Sequence, residues 1–252
     1  MLYLEYGKVS QGIAILQEAL SLGEQANYYG AQILVPFVLS WVYGTLGSRE
    51  RSLSLLNTLV EKSNKIKVGF DLYREVIKLR RGYYLGDEAG VVKKLNILEE
   101  KILHGITDVY FGSAVETLFG EVAIEVGEFQ SVLAVTQEVI ARMKAEGKRF
   151  LLPDLLHLRG QALHAQGRNE EALQALYEGR AEAEAQGSQR ALWPILTTLT
   201  KLERQQGNQV GADQLTAEAK QVIANIADHI EEADLRSSFL NLKQVREIIG
   251  GD

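Results

Sequence analysis

Of the four histidines in the sequence, only His157 and His164 share one face of a helix, seven residues apart. With Asp154 one turn earlier and Glu121 farther upstream, they are the grouping of imidazole and carboxylate that a fold would have to gather for metal binding. The spacing speaks against a metal, because two imidazoles that chelate from one helix stand four residues apart. The pair reads instead as the polar wall of a groove. Other reactive arrangements are missing. There is no cysteine, hence no thiolate nucleophile, thiolate-held metal or disulfide. No H-E-x-x-H, G-x-S-x-G or G-x-G-x-x-G occurs. Neither Gly7-Lys8 nor Gly147-Lys148 has the leading glycine of a phosphate-binding loop five residues before it. The expectation is a protein without catalysis, cofactor or metal.

Charge gives a second candidate. Between Lys62 and Lys101 stand ten basic residues (Lys62, Lys65, Lys67, Arg74, Lys78, Arg80, Arg81, Lys93, Lys94 and Lys101) against six acidic ones, in a chain whose net charge is −6. Arg74, Lys78 and Arg81 lie at helical spacing and form one stripe. Such a stripe is either a solvated helix face or a patch for carboxylates and acidic peptide. Nucleic acid is not expected, since no interleaved aromatic platform accompanies the charges and the overall field is repulsive.

The elements that carry these residues follow from an internal repeat. Gly7, Gly47, Gly127, Gly167 and Gly207 fall on one 40-residue grid, and the empty slot, Asp87, has Gly86 just before it. After each turn the apolar positions recur, as in Leu16, Leu56, Leu95 and Leu176, or Ile13, Leu53, Leu133 and Leu173. Small residues recur with them at Gly12, Ser52, Ala172 and Ala212. These offsets lie along one helix face. Before each turn runs another helix, with Ser40, Gly120, Gly160 and Thr200 seven residues ahead of the glycine. In the third unit the first helix fits a turn at Asp87 and the second fits Gly86, and Arg80 stands where the small residue belongs. Ser48, Asp87 and Asn169 are expected N-caps, and Pro36 a kink.

A small residue, a turn glycine, a second small residue and a leucine in this order, best seen in GQALHAQGRNEEALQAL from Gly160 to Leu176, resemble the tetratricopeptide (TPR) repeat, here stretched to the wider spacing of the glycine grid. HEAT repeats, of comparable length, are the alternative. The resemblance implies an all-α, right-handed solenoid of about six helix pairs over residues 1–230, followed by a capping tail over 231–252. It also implies that first helices line a concave groove. The positions so placed are Phe37 and Trp41 in unit two, and Arg74, Arg81 and Tyr84 in unit three. Glu121 in unit four, His157, Gln161 and His164 in unit five, and Lys201 and Arg204 in unit six complete the set. Such a groove would suit a peptide with an apolar anchor and acidic flanks; Phe37 and Trp41 read first as core residues, and exposure there would mark them as part of it. A small-molecule effector is the alternative occupant.

The ends differ. Only six residues precede Gly7, too few for a full first helix, so the helix from Val9 is expected to leave an uncovered apolar face. That face would meet further N-terminal domains of the same polypeptide, or a second copy. At the other end Phe239, Leu242, Val245 and Ile249 form a stripe, Asn241 is the expected cap of a last helix, and Gly250-Gly251 reads as a terminus. This tail, with GRNEEAL in unit five, resembles the C-terminal arrays of bacterial STAND-class signalling ATPases, whether cyclase-linked or of the LuxR type. That resemblance implies a sensor or partner-binding arm. The longest mostly apolar run, Ile33 to Tyr43, is well short of the ~20 residues a bilayer span needs. A soluble, cytoplasmic protein without a membrane partner is the expectation.

Overall fold

The computed structural model describes residues 2–63, 71–105 and 114–250; Lys65, Lys67 and Gly251, named above, lie outside them. The described residues form fourteen helices. Six antiparallel pairs run in order: α1 (Leu2–Glu5) with α2 (Val9–Gln25), α3 (Tyr29–Thr45) with α4 (Arg49–Ser63), and α5 (Asp71–Leu85) with α6 (Glu88–Leu103). Then come α7 (Ala114–Glu125) with α8 (Phe129–Ala145), α9 (Leu152–Ala165) with α10 (Asn169–Gln186), and α11 (Gln189–Gln205) with α12 (Gln209–Asp228). Each helix packs on the next, and first helices α5, α7, α9 and α11 also touch in succession. The architecture is an all-α solenoid.

The turns show how the sequence enforces it. The six turn glycines, with Gly86 in the third slot, all have φ between 74° and 82°. At Gly47 the amide donates to Gly44 O at 3.1 Å and the Ser48 amide to Tyr43 O at 2.8 Å, a Schellman closure that needs a left-handed residue. Asn27, Gly105, Gly147 and Gly187 take the same conformation between or after pairs. Among the described turns the signal therefore recurs at about half the grid spacing, because both turns of a unit close in this way, except after α12, where His229 has φ −98°. Asp87 caps α6 through Gly90 N at 3.0 Å, so the third unit is counted from Gly86. Asn169 is not a cap: Arg168 holds that position, and the Asn169 amide oxygen meets His164 Nδ1 at 2.9 Å. The α3 helix runs on through Pro36.

Close approach explains the small residues. A Cβ on Gly160 would lie 2.6 Å from Leu176 Cγ, and one on Gly120 would lie 2.7 Å from Leu158 Cδ1. Leu176, Leu56 and Leu95, the recurring leucines, are buried in one continuous core.

Two features depart from an open-ended array. The first unit reaches the sixth: α1 packs on α11, Ser10 N donates to His229 O at 3.1 Å, and Ser10 Oγ accepts from Glu231 N at 2.9 Å. Leu4, Val9 and Ile13 are buried as a result. The face expected to stand open is thus partly covered by the chain's own far end, though Ile15 (46%) and Leu22 (58%) stay exposed. The second feature is the tail, α13 (Ala233–Leu240) and α14 (Lys243–Ile249). It packs on α11 and α12, and it also crosses to unit two, where a Cβ on Gly47 would lie 2.8 Å from Ser238 O. Phe239, Val245 and Ile248 face inward, whereas Ile249 is 42% exposed. Asn241 ends α13 rather than capping α14, whose N-cap is Leu242.

Candidate functional site

Because the solenoid curls until its ends meet, its first helices enclose a central cavity of about 410 Å³, with the tail across one side. Three ion-pair and aromatic groupings frame it. Arg190, near the start of α11, grips both Asp154 oxygens on α9 at 2.6 and 2.9 Å and donates through Nε to Glu5 on α1 at 2.8 Å. The other Glu5 oxygen accepts from the Ser188 hydroxyl. The same guanidinium lies 4.9 Å above the Trp41 ring on α3. Burial opposes the Arg190 charge, but Asp154 and Glu5 outweigh it and hold the proton more tightly than usual. One side chain thereby ties together units one, two, five and six.

Across the cavity, Glu121 on α7 accepts from Trp41 Nε1 at 2.9 Å and from Arg80 at 2.6 Å. Arg80 also donates to the Tyr84 hydroxyl at 3.2 Å, and Arg80 and Arg49 flank the Tyr84 ring. Burial works against the Arg80 charge, and Glu121 more than restores it. At the rim the Tyr83 hydroxyl donates to Glu125 at 3.2 Å; burial and then Glu125 push that phenol's pKa up. His157 Nε2 lies 2.8 Å from Thr198 Oγ1, which itself donates to Pro194 O at 3.0 Å. Both contacts are satisfied only if Nε2 carries the proton, leaving Nδ1 as an acceptor. Burial drives the His157 pKa down to about 4, against a smaller upward pull from Asp154, so the ring is neutral at pH 7.

Of the eleven groove positions, Tyr84, Glu121, His157 and Gln161 line this cavity. Trp41 stands in its framework but is 4% exposed, not an open anchor. Phe37 is 3% exposed and meets Tyr73 edge-on at 5.1 Å within the core. The rest point elsewhere. Arg74 pairs with Asp71 at 2.8 Å, Arg81 donates to Asn57 at 2.6 Å, and His164 turns to Asn169. Lys201 pairs with Glu247 of the tail at 2.6 Å, and Arg204 donates to Thr216 at 3.3 Å. The Arg81 placement is a register error. Counted from Gly86, the inward residue of unit three is Arg80, in line with Trp41 and Glu121. Glu5, Asp154, Arg190 and Trp193 also lie outside the expected set. Arg190 stands in the first turn of α11, well ahead of the positions that the repeat pattern points inward.

Glu121 and Asp154 are committed to arginines rather than free for a cation. Among the described residues no three His, Asp or Glu side chains gather in a metal-binding arrangement, and no helix is long and apolar enough to cross a membrane. No protein-family model matches the chain, and no curated protein matches it.

Proposed function

We propose that the chain is a non-enzymatic, TPR-like sensory arm of a larger cytoplasmic signalling protein, and that a small molecule in the central cavity is its signal. The observation that carries this is the closed centre. A 410 Å³ space lined by the first helices and the tail has the size of a small-molecule site. A ligand there touches units on both sides of the Glu5–Arg190 junction. Its binding energy is thereby coupled to whether the ring is closed, which is what a sensor requires. Output would pass to neighbouring protein through exposed apolar side chains of unit one and its turn into unit two, among them Leu22, Tyr28 and Tyr29. A protein- or peptide-binding scaffold is the second reading, on the strength of that same exposed surface.

Thermal-shift screening against a metabolite set, followed by small-angle scattering on any hit, tests the proposal. Stabilisation with a change in radius of gyration supports it. A blank screen, together with capture of peptides that compete at Leu22 or Tyr29, replaces it with the scaffold reading.

A further inference from the structure

Inside the rim, the charged groups around the cavity are already committed to one another; at the exposed rim Glu125 accepts from the neutral Tyr83 hydroxyl. Both Glu121 oxygens, both Asp154 oxygens and both Glu5 oxygens accept from Trp41, Arg80, Arg190 or Ser188. A ligand carboxylate would have to take Arg190 from two acids, and a ligand ammonium would have to take an acid from a guanidinium. Either exchange strands a buried charge and costs more than it returns. Inside that rim, what stays open to a ligand is neutral. His157 offers the Nδ1 lone pair, because its Nε2 proton is used on Thr198. Gln161 lies one helical turn further along α9 on the same cavity wall, with its carboxamide free among the described residues. The Tyr84 hydroxyl is already engaged, accepting from Arg80 and lying 3.5 Å from Ser52 Oγ, whose own proton goes to Ser40 O. Opposite them the wall is apolar, from Val9, Val42, Leu46, Ile226 and Leu242.

Resting on the reading of the cavity as a ligand site, we infer that its ligand is an uncharged amphipathic molecule. A hydroxyl or amide head bonds to His157 and Gln161, and an apolar body lies against the face made by units one, two and six and the tail. A neutral donor completes the Nδ1 acceptor without disturbing the arginine junctions. The apolar remainder gains from leaving water, and the ion pairs exclude charged homologues of the same shape.

Three probes of equal length and different charge test this: 1-octanol, octanoate and octylammonium, titrated below micelle formation. The readout is intrinsic fluorescence, since Trp193 lines the cavity and Trp41 bonds to Glu121 on its wall, with calorimetry as a check. The expected result is saturable binding of 1-octanol at least tenfold tighter than of either charged probe. His157→Leu should weaken 1-octanol about tenfold, the worth of one buried hydrogen bond. Gln161→Leu, one turn away, should weaken it in the same direction and guards against misfolding of the first variant. An Ile15→Ser, Leu22→Ser double variant should bind as the parent does, which separates the cavity from the exposed face of α2. If octanoate or octylammonium binds as tightly as 1-octanol, the inference on ligand class is overturned while the cavity remains a ligand site. If none of the three binds, the inference is overturned, and the sensory reading falls with it only if the metabolite screen is also blank.

Discussion

Replacing Arg190 by methionine keeps an apolar stem of similar length and removes the charge that closes the ring. In the parent, three contacts of 2.6–2.9 Å join this guanidinium to Asp154 and Glu5, whose side chains are only 12% and 8% exposed. At an effective dielectric of about 20, unit charges ~4 Å apart attract by about 4 kcal/mol, and Arg190 has two such partners. Much of that attraction offsets the cost of burying the charges. Removing one member strands the others, and the net loss from breaking a buried pair is about 3–5 kcal/mol. The lost stacking over Trp41 adds roughly 1 kcal/mol. For a chain of this length the sum corresponds to a fall in Tm on the order of 10 °C. Removing all three charges together, as Glu5→Gln, Asp154→Asn and Arg190→Met, strands none of these ions, so the triple variant should recover most of the loss. Calorimetry measures the stabilities, and small-angle scattering reports whether the single variant opens. A single variant that melts within about 2 °C of the parent, or a triple variant no better than the single, would refute the idea that this arginine is the closing bond.

His157 gives a pH prediction. Its folded-state pKa of about 4 lies below the ordinary 6.5, so between these values the unfolded chain binds the extra proton. Its contribution to stability is therefore complete above pH 6.5 and is lost as pH falls toward 4. The loss amounts to about 3 kcal/mol at most; His157→Gln should flatten that part of the profile, and identical profiles would remove burial as the cause. Gly160→Ala places a methyl 2.6 Å from Leu176 Cγ, and overpacking of this kind should cost about 1–3 kcal/mol in urea melts. If the variant is as stable as the parent, the close approach of α9 and α10 is wrong. Trp41→Ala, at a side chain 4% exposed, should cost about 3–5 kcal/mol, read as a lowered denaturation midpoint. An unchanged midpoint would mean that Trp41 swings free, as an open groove requires.

The repeat is legible because each unit must solve the same local problem. A turn needs a left-handed backbone, which selects glycine, and a close helix crossing needs a small side chain; both leave marks at fixed spacing in one sequence. Half of the turn signal nonetheless escapes the glycine grid. Gly147 and Gly187 lie midway between the grid glycines, and Asn27 does the same work where no glycine reveals it. The site is less legible, because its key contacts are between units rather than within them. Glu5 and Arg190 are 185 residues apart and Trp41 and Glu121 are 80 apart; no periodicity predicts which inward residues meet across the centre. That depends on curvature, the accumulated tilt of every successive pair, and a small error in tilt per unit separates a closed ring from an open groove. Phe37 and Trp41 fall on the correct helix, and only their exposure is misplaced by the repeat pattern.

Most solenoids behave like stacks of coins, in which a unit can be added or dropped at little cost because each one meets only its neighbours. A stack bent until its last coin touches its first has lost that freedom. An extra helix pair between units four and five could repeat the packing between neighbours yet would carry α11 past α1, with Arg190 facing a residue other than Glu5. The number of repeats thus becomes a dimension of the cavity rather than a matter of length. A family of chains built on this plan would be free to vary its outer faces but would inherit the count as strictly as an enzyme inherits its nucleophile.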